Sequence, residues 1–127
     1  MTKTVLDASA VPALLKNEHG ADGIEEALDG AAISAVNLVE VTSKLLSGGM
    51  TDAALQEALD SLNLDVLPLD ETQARSAGRI REHANTLGLS LADRACLSLA
   101  QTRRCAAMTT DRAWSKVSFG VEIRIVH

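Results

Sequence analysis

Ser90-Leu91-Ala92-Asp93-Arg94-Ala95-Cys96-Leu97-Ser98-Leu99-Ala100, followed closely by Ala106-Ala107-Met108-Thr109-Thr110-Asp111, decides the fold of this chain. In the first stretch Ala92, Ala95, Cys96, Leu99 and Ala100 recur at the spacing of one core-facing helical stripe. In the second, a short apolar run leads to an acid, which reads as a buried strand that ends at a polar edge. Working outward, the same alternation fills the chain. Thr4-Val5-Leu6 is a strand closed by Asp7, and a helix over 10–16 follows, with Ser9 as its cap and Pro12 tolerated in its first turn. A short helix over 21–28 precedes a strand at 31–33. Ser34 then caps a helix over 35–46 that holds Glu40 and is ended by Gly48-Gly49. Thr51-Asp52 opens a helix to 62, and Leu64-Asp65-Val66-Leu67 is a strand stopped by Pro68. A helix over 70–86 is broken at Gly88. Beyond Asp111, a short helix carries Trp114, and Val121, Ile123 and Ile125 alternate in a last strand. Helices alternating with strands predict an α/β domain with a mainly parallel sheet, whose ligands bind beyond the carboxyl ends of the strands.

The 127 residues fit one domain, 1–127, with no internal repeat or low-complexity linker. A hydrophobic content of 46% excludes disorder, and with one Trp, one Phe and no Tyr the core must be aliphatic. The same scarcity of rings argues against a surface that stacks single-stranded bases, so any nucleic-acid contact must work through charge and metal. The net charge of −5 hides an asymmetry: residues 1–70 carry −9 and residues 71–127 carry +4. Arg75, Arg79, Arg81, Arg103 and Arg104 of the second half are candidates for contact with phosphate, although the solvated face of a helix is the readier explanation for any single one of Arg75, Arg79 and Arg81. Cys96 and Cys105 lack metal-ligand spacing and read as small core residues. With no leader-like start and no uncharged run near the roughly 20 residues that span a bilayer, the expectation is a cytoplasmic protein with no membrane partner.

Asp7, Glu40, Asp93 and Asp111 each lie where an apolar run meets a turn or a helix, and such contexts are expected to draw them out of bulk water. A desolvated carboxylate must be paired, hydrogen-bonded or neutralised by a cation. Each also has a structural reading. Asp7 and Asp111 can cap the helices that follow, Ser90-x-x-Asp93 has the form of a capping box, and Glu40 is spaced to pair with Lys44. Convergence of all four on one sheet edge would instead make a divalent-cation site. Oxygen ligands alone, with His19, His83 and His127 far from the motifs, favour Mg²⁺ or Mn²⁺ over Zn²⁺. Such an ion suits hydrolysis of a phosphodiester, and no phosphate loop, histidine–nucleophile pair or Cys pair competes. Ser9, Thr109 and Thr110 place hydroxyls beside the acids for turn bonds or for orienting a ligand.

Val-Leu-Asp7-Ala-Ser9-Ala, Ile-Ser-Ala-Val-Asn-Leu-Val-Glu40-Val, Leu-Ser-Leu-Ala-Asp93-Arg-Ala and Thr109-Thr-Asp111-Arg-Ala-Trp114, in this order, resemble the PIN-domain ribonucleases, in particular the VapC-type toxins of prokaryotic toxin–antitoxin pairs. The resemblance covers almost the whole chain. It implies a three-layer α/β/α sandwich and an Mg²⁺- or Mn²⁺-dependent endoribonuclease whose four acids are Asp7, Glu40, Asp93 and Asp111. It further implies in-line attack by water that the ion activates, leaving a 5′-phosphate, with Ser9 and Thr109 as supporting hydroxyls. The partners it implies are RNA, a second copy in a homodimer, and a VapB-like antitoxin whose tail covers the acidic site, often with a basic side chain. Two rivals stand beside it. One is a metal-free protein-interaction module whose acids receive a partner's Arg. The other is a receiver-like phospho-acceptor domain, which expects adjacent acids after the first strand and a Lys ending a later one; Ala8 follows Asp7, and Lys116 is not at a strand end.

Overall fold

The computed structural model describes residues 1–84, 87–117 and 119–127. Its elements in chain order are β1 Thr4–Leu6, α1 Ala10–Leu15, α2 Ala21–Ala27, β2 Ala31–Ser34, α3 Ala35–Ser47, α4 Asp52–Leu62, β3 Asp65–Leu67, α5 Glu71–Ala84, α6 Leu91–Arg103, β4 Ala106–Thr109, a 3-10 helix Arg112–Lys116, and β5 Ile123–Ile125. The end expected for α5, at 85–86, lies outside the described residues. No described helix is long and apolar enough to cross a membrane.

The strands form one sheet in the order β3-β2-β1-β4-β5, and every neighbouring pair is parallel. Parallel pairing forces each connection to return across a face of the sheet, which is why helices separate the strands. Side chains alternate across β1, so Val5 and Leu6 enter opposite layers. Leu6 packs with Val11, Ile24, Ile33, Val41 and Leu45 in one core. Val5 packs with Ile80, Cys96, Leu97, Leu99 and Trp114 in the other. Two cores divided by one sheet make a three-layer α/β/α architecture, in which burying each large aliphatic side chain contributes about 1.5–3 kcal/mol. The strand at β3 forms as the sequence predicts, but at the sheet edge: Asp65 and Val66 are exposed, the latter at 45%.

Local chemistry closes the elements at the edge where the strands end. Ser34 closes β2 and caps α3, its Oγ accepting from the Val36 N–H at 3.2 Å. Ser9 does not cap α1, contrary to expectation. Its backbone is already helical, and Asp7 Oδ1 accepts the N–H groups of Ser9 and Ala10 instead, at 3.0 and 3.2 Å. At the far end of the chain, Val126 donates its N–H to the Thr109 carbonyl, so the segment after β5 runs beside the end of β4. Gly20 permits a close approach there. A Cβ on it would lie 2.9 Å from the Val126 carbonyl carbon, and its φ of +93° is a conformation L side chains avoid.

Candidate active site

The strands deliver two of the acids, Asp7 and Asp111, to the carboxyl-terminal edge of the sheet. Asp7 follows β1, with its N–H still bonded to the Met108 carbonyl in the ladder, and Asp111 follows β4 after Thr110. Asp93 occupies the first turn of α6, which packs against β1. Glu40 lies in α3, which continues directly from β2. Asn37, one turn before Glu40, donates from Nδ2 to the Ala92 carbonyl at 3.1 Å, tying the Glu40 helix to the residue before Asp93.

Asp7 is the anchor of this edge, with only 4% of its surface exposed. Oδ1 accepts from the Ser9 N–H, the Ala10 N–H and Ser9 Oγ, the last at 2.6 Å, and Oδ2 accepts from Thr109 Oγ1 at 2.6 Å. Thr109 Oγ1 in turn accepts the Asp111 N–H at 3.0 Å, and Ser9 Oγ accepts the Thr110 N–H at 3.0 Å. Ser9 and Thr109 thus clasp the ends of β1 and β4 around one carboxylate. Burial nevertheless outweighs these bonds, pushing the Asp7 pKa up to about 6, with hydrogen bonds from Ser9, Thr109 and Ala10 opposing it. The buried thiol of Cys96 is raised well above its usual range, first by burial and then by the negative charges of Asp7 and Asp93. Those two carboxylates therefore act on a common neighbour.

The expectation of four desolvated acids needs correction. Asp93 is half-buried, while Glu40 and Asp111 are exposed. Glu40 protrudes because adjacent helical residues point about 100° apart: Val41 faces the core while Val39 is 65% exposed. The Glu40–Lys44 ion pair does not form. Among the described residues, no three of the acids, His or Cys lie close enough together to hold a metal ion by themselves.

The capping readings of Asp93 and Asp111 materialise. Asp111 Oδ1 accepts the Ala113 N–H at 2.9 Å, and Ser90 with Asp93 completes a capping box in which Asp93 Oδ2 accepts the Ser90 N–H at 2.9 Å. A carboxylate has two oxygens, however, and each cap engages one. Asp93 Oδ1 and Asp111 Oδ2 have no hydrogen-bond partner among the described residues, and Asp7 Oδ2 has a single donor. Orientation by one oxygen with the other left open is an arrangement that can hold a cation. The donor set fits Mg²⁺ or Mn²⁺: all-oxygen, sparse, and open enough for an ion that keeps several waters and takes one or two carboxylates directly. The undercompensated charge of buried Asp7 fits it as well.

The basic residues divide by position. Arg94 Nη1 donates to the Ala77 carbonyl and Ser98 Oγ to the Gln73 carbonyl, so α5 and α6 run antiparallel. Exposed Arg79 and Arg81 therefore lie toward the Asp93 end of α6. Arg103 and Arg104 close its opposite end, about 15 Å along the helix axis from Asp93. Exposed Arg75 pairs with Glu71 at 2.7 Å. Sequence reading overlooked Asn37 and Arg94. Asn37 carries a signal, a polar residue in the first turn of α3 and one turn before an acid, and its Oδ1 is buried without a hydrogen-bond partner among the described residues.

Comparison with known proteins agrees with the fold. A family model described as PIN domain matches residues 4–120. A search of curated proteins finds no match. Among solved structures, a chain of VapBC-5 from Mycobacterium tuberculosis, a member of the VapBC family of toxin–antitoxin systems, is 27% identical with a TM-score of 0.71, and the match covers 99% of this chain and 100% of that one. A chain of VapBC2 from Rickettsia felis, bound to a promoter DNA fragment, is 16% identical with a TM-score of 0.77 over 99% and 100% of the two chains. One from DNA-bound VapBC of Salmonella typhimurium is 22% identical with a TM-score of 0.67 over 97% of each.

Proposed function

Because the chain belongs to the PIN-domain family, we propose that it is a metal-dependent endoribonuclease, the toxin of a toxin–antitoxin pair, acting in the cytoplasm on RNA. Asp7, Glu40, Asp93 and Asp111 are the residues that would hold Mg²⁺ or Mn²⁺. The observation that carries this reading is the Asp7 carboxylate, buried and clasped by Ser9 and Thr109 with its pKa raised to about 6. A divalent ion resolves that charge; when bound, it lowers the pKa of a water and neutralises charge developing on a phosphoryl oxygen. The residues supply position. Ser9 and Thr109 fix the Asp7 rotamer, the Ser90 cap fixes Asp93, and Asn37 sets the α3–α6 distance. Arg79 and Arg81 draw in the phosphate chain, which the acids would otherwise repel.

The likeness to chains of VapBC toxin–antitoxin structures supports an antitoxin as partner, and the surface is suited to one. Exposed Val39 and Leu91, at 65% and 56%, flank Glu40 and Asp93. A partner covering the site would gain apolar contact beside the acids and could set a cation among them. A homodimer belongs to the same proposal. One observation favours a metal-free interaction module of the same fold, namely that no three ligand-type residues gather among those described. The receiver-like reading is set aside by the family match.

The deciding experiment is cleavage of total RNA by antitoxin-free protein in Mg²⁺, Mn²⁺ or EDTA, beside Asp93→Asn. Asn keeps an oxygen for the Ser90 cap, so the variant is expected to fold normally and lose cleavage. Cleavage that persists in EDTA would overturn the metal-dependent mechanism. Absence of both cleavage and Mg²⁺ binding in the unsubstituted protein would favour the interaction module.

A further inference from the structure

A pocket of about 530 Å³ opens between α5, α6 and the segment after the 3-10 helix. Among the described residues its wall is apolar, from Ile80, Leu87 and Phe119, and its charged groups are Arg79 and Lys116. Neither cation makes an ion pair among the described residues. Gln101 spans the pocket: its Oε1 accepts from Ser76 Oγ at 2.7 Å and its Nε2 donates to the Phe119 carbonyl at 3.4 Å. That orients the amide and leaves its second N–H available. Lys116 closes the 3-10 helix that begins beside Asp111, so at about 2 Å per residue this side of the pocket lies roughly 10 Å from Asp111.

An apolar wall, two cations without an ion pair among the described residues, and an oriented amide together match a ring joined to a phosphate. We propose that this pocket binds one nucleotide of the RNA flanking the cut, with phosphate on Arg79 and Lys116, the base against the apolar wall, and Gln101 at the base edge. The volume suits a ligand of that size. Identification of the nucleotide as part of an RNA substrate rests on the nuclease reading above. The pocket would then contribute to choosing the cleavage position, since phosphate contacts position a strand and contacts to base edges specify its sequence.

The test is an amide NMR titration of the full chain in EDTA with each 5′-mononucleotide, with inorganic phosphate and an acidic peptide as separate arms. At least one mononucleotide is expected to shift the amides of Ser76, Ile80 and Gln101, and to bind at least about tenfold more weakly to Arg79→Ala and Lys116→Ala. Both cations are exposed, so neither substitution threatens the fold. Unmoved pocket amides, phosphate binding as tightly as any mononucleotide, or tighter binding of the acidic peptide there would each overturn the proposal. Metal-dependent RNA cleavage is measured on the same preparation. Cleavage with an empty pocket removes this inference alone. Pocket binding in a protein that neither cleaves RNA nor binds Mg²⁺ supports the pocket and removes the nuclease reading.

Discussion

Replacing Asp7 with Asn separates the cost of burying its charge from every other contribution. In the folded chain this carboxyl titrates at about 6 instead of 3.8, chiefly through burial. Between those values the folded chain keeps a proton that the unfolded chain has released. Stability is therefore greatest below the unfolded pKa and is lost as pH rises through the folded one. The difference corresponds to about 3 kcal/mol, roughly 10 °C in Tm for a chain of this size. Asn has no charge to desolvate, and its carbonyl oxygen can still accept from Ser9 and Ala10. In EDTA, urea unfolding from pH 4 to pH 7.5 should show wild type losing up to about 3 kcal/mol relative to Asp7→Asn as pH rises. Because all other titrating groups are shared, the difference between the two profiles isolates Asp7. Mg²⁺ at pH 7.5 should restore wild type by mass action and leave the variant unmoved. Parallel pH profiles in EDTA would refute the argument, since they would mean that Asp7 carries no uncompensated charge in the folded chain.

Thr109→Val removes the 2.6 Å donor to Asp7 and the acceptor of the Asp111 N–H. It is expected to cost about 2 kcal/mol at pH 7.5 and less at pH 4, where Asp7 is protonated; an equal cost at both pH values in urea unfolding would count against the clasp. Gly20→Ala drives a Cβ into the Val126 backbone and strains a positive φ, so a loss of more than about 1 kcal/mol is expected, with amide exchange accelerated first around Thr109 and Val126. For RNA binding, measured in Mg²⁺ on the Asp93→Asn background, Arg81→Ser should weaken affinity and reduce the salt slope by about 1. Arg104→Asn, at the far end of α6 in a left-handed conformation that Asn tolerates, should change neither. Equal effects of the two substitutions would contradict an RNA path that favours the Asp93 end of α6.

Most of the fold was legible in the sequence because its signals are local. Continuous apolar runs such as Thr4-Val5-Leu6 and Ala106-Ala107-Met108 mark strands buried on both faces, and Ser34, Thr51 and Ser90 mark the helix starts they cap. The edge position of β3 was not legible, since strand order is a property of the whole chain. The locations of the four acids were legible, and their environments were not. Apolar neighbours in sequence shield a residue only if they share its face, and around Glu40 the helix turns Val39 away from Val41. Capping and ligation also looked like competing uses for Asp93 and Asp111, yet each cap engages one carboxylate oxygen and leaves the other open. The cations of the second half are likewise divided, because α6 carries Arg103 and Arg104 away from the end where Asp93 lies.

The bond between Thr109 and Asp7 links positions 102 residues apart. During synthesis β1 and β2 emerge early and can pair, but the partner that completes the Asp7 environment, and Asp111 with it, arrives only with the last strand but one. Loop closure over that separation cannot occur before the intervening helices have been made. A stalled or prematurely terminated nascent chain therefore presents Asp7 and Glu40 without the remainder of the edge. If the chain is the nuclease proposed above, the ribosome making it is shielded from its product by the order of strands in the sheet, until β4 docks.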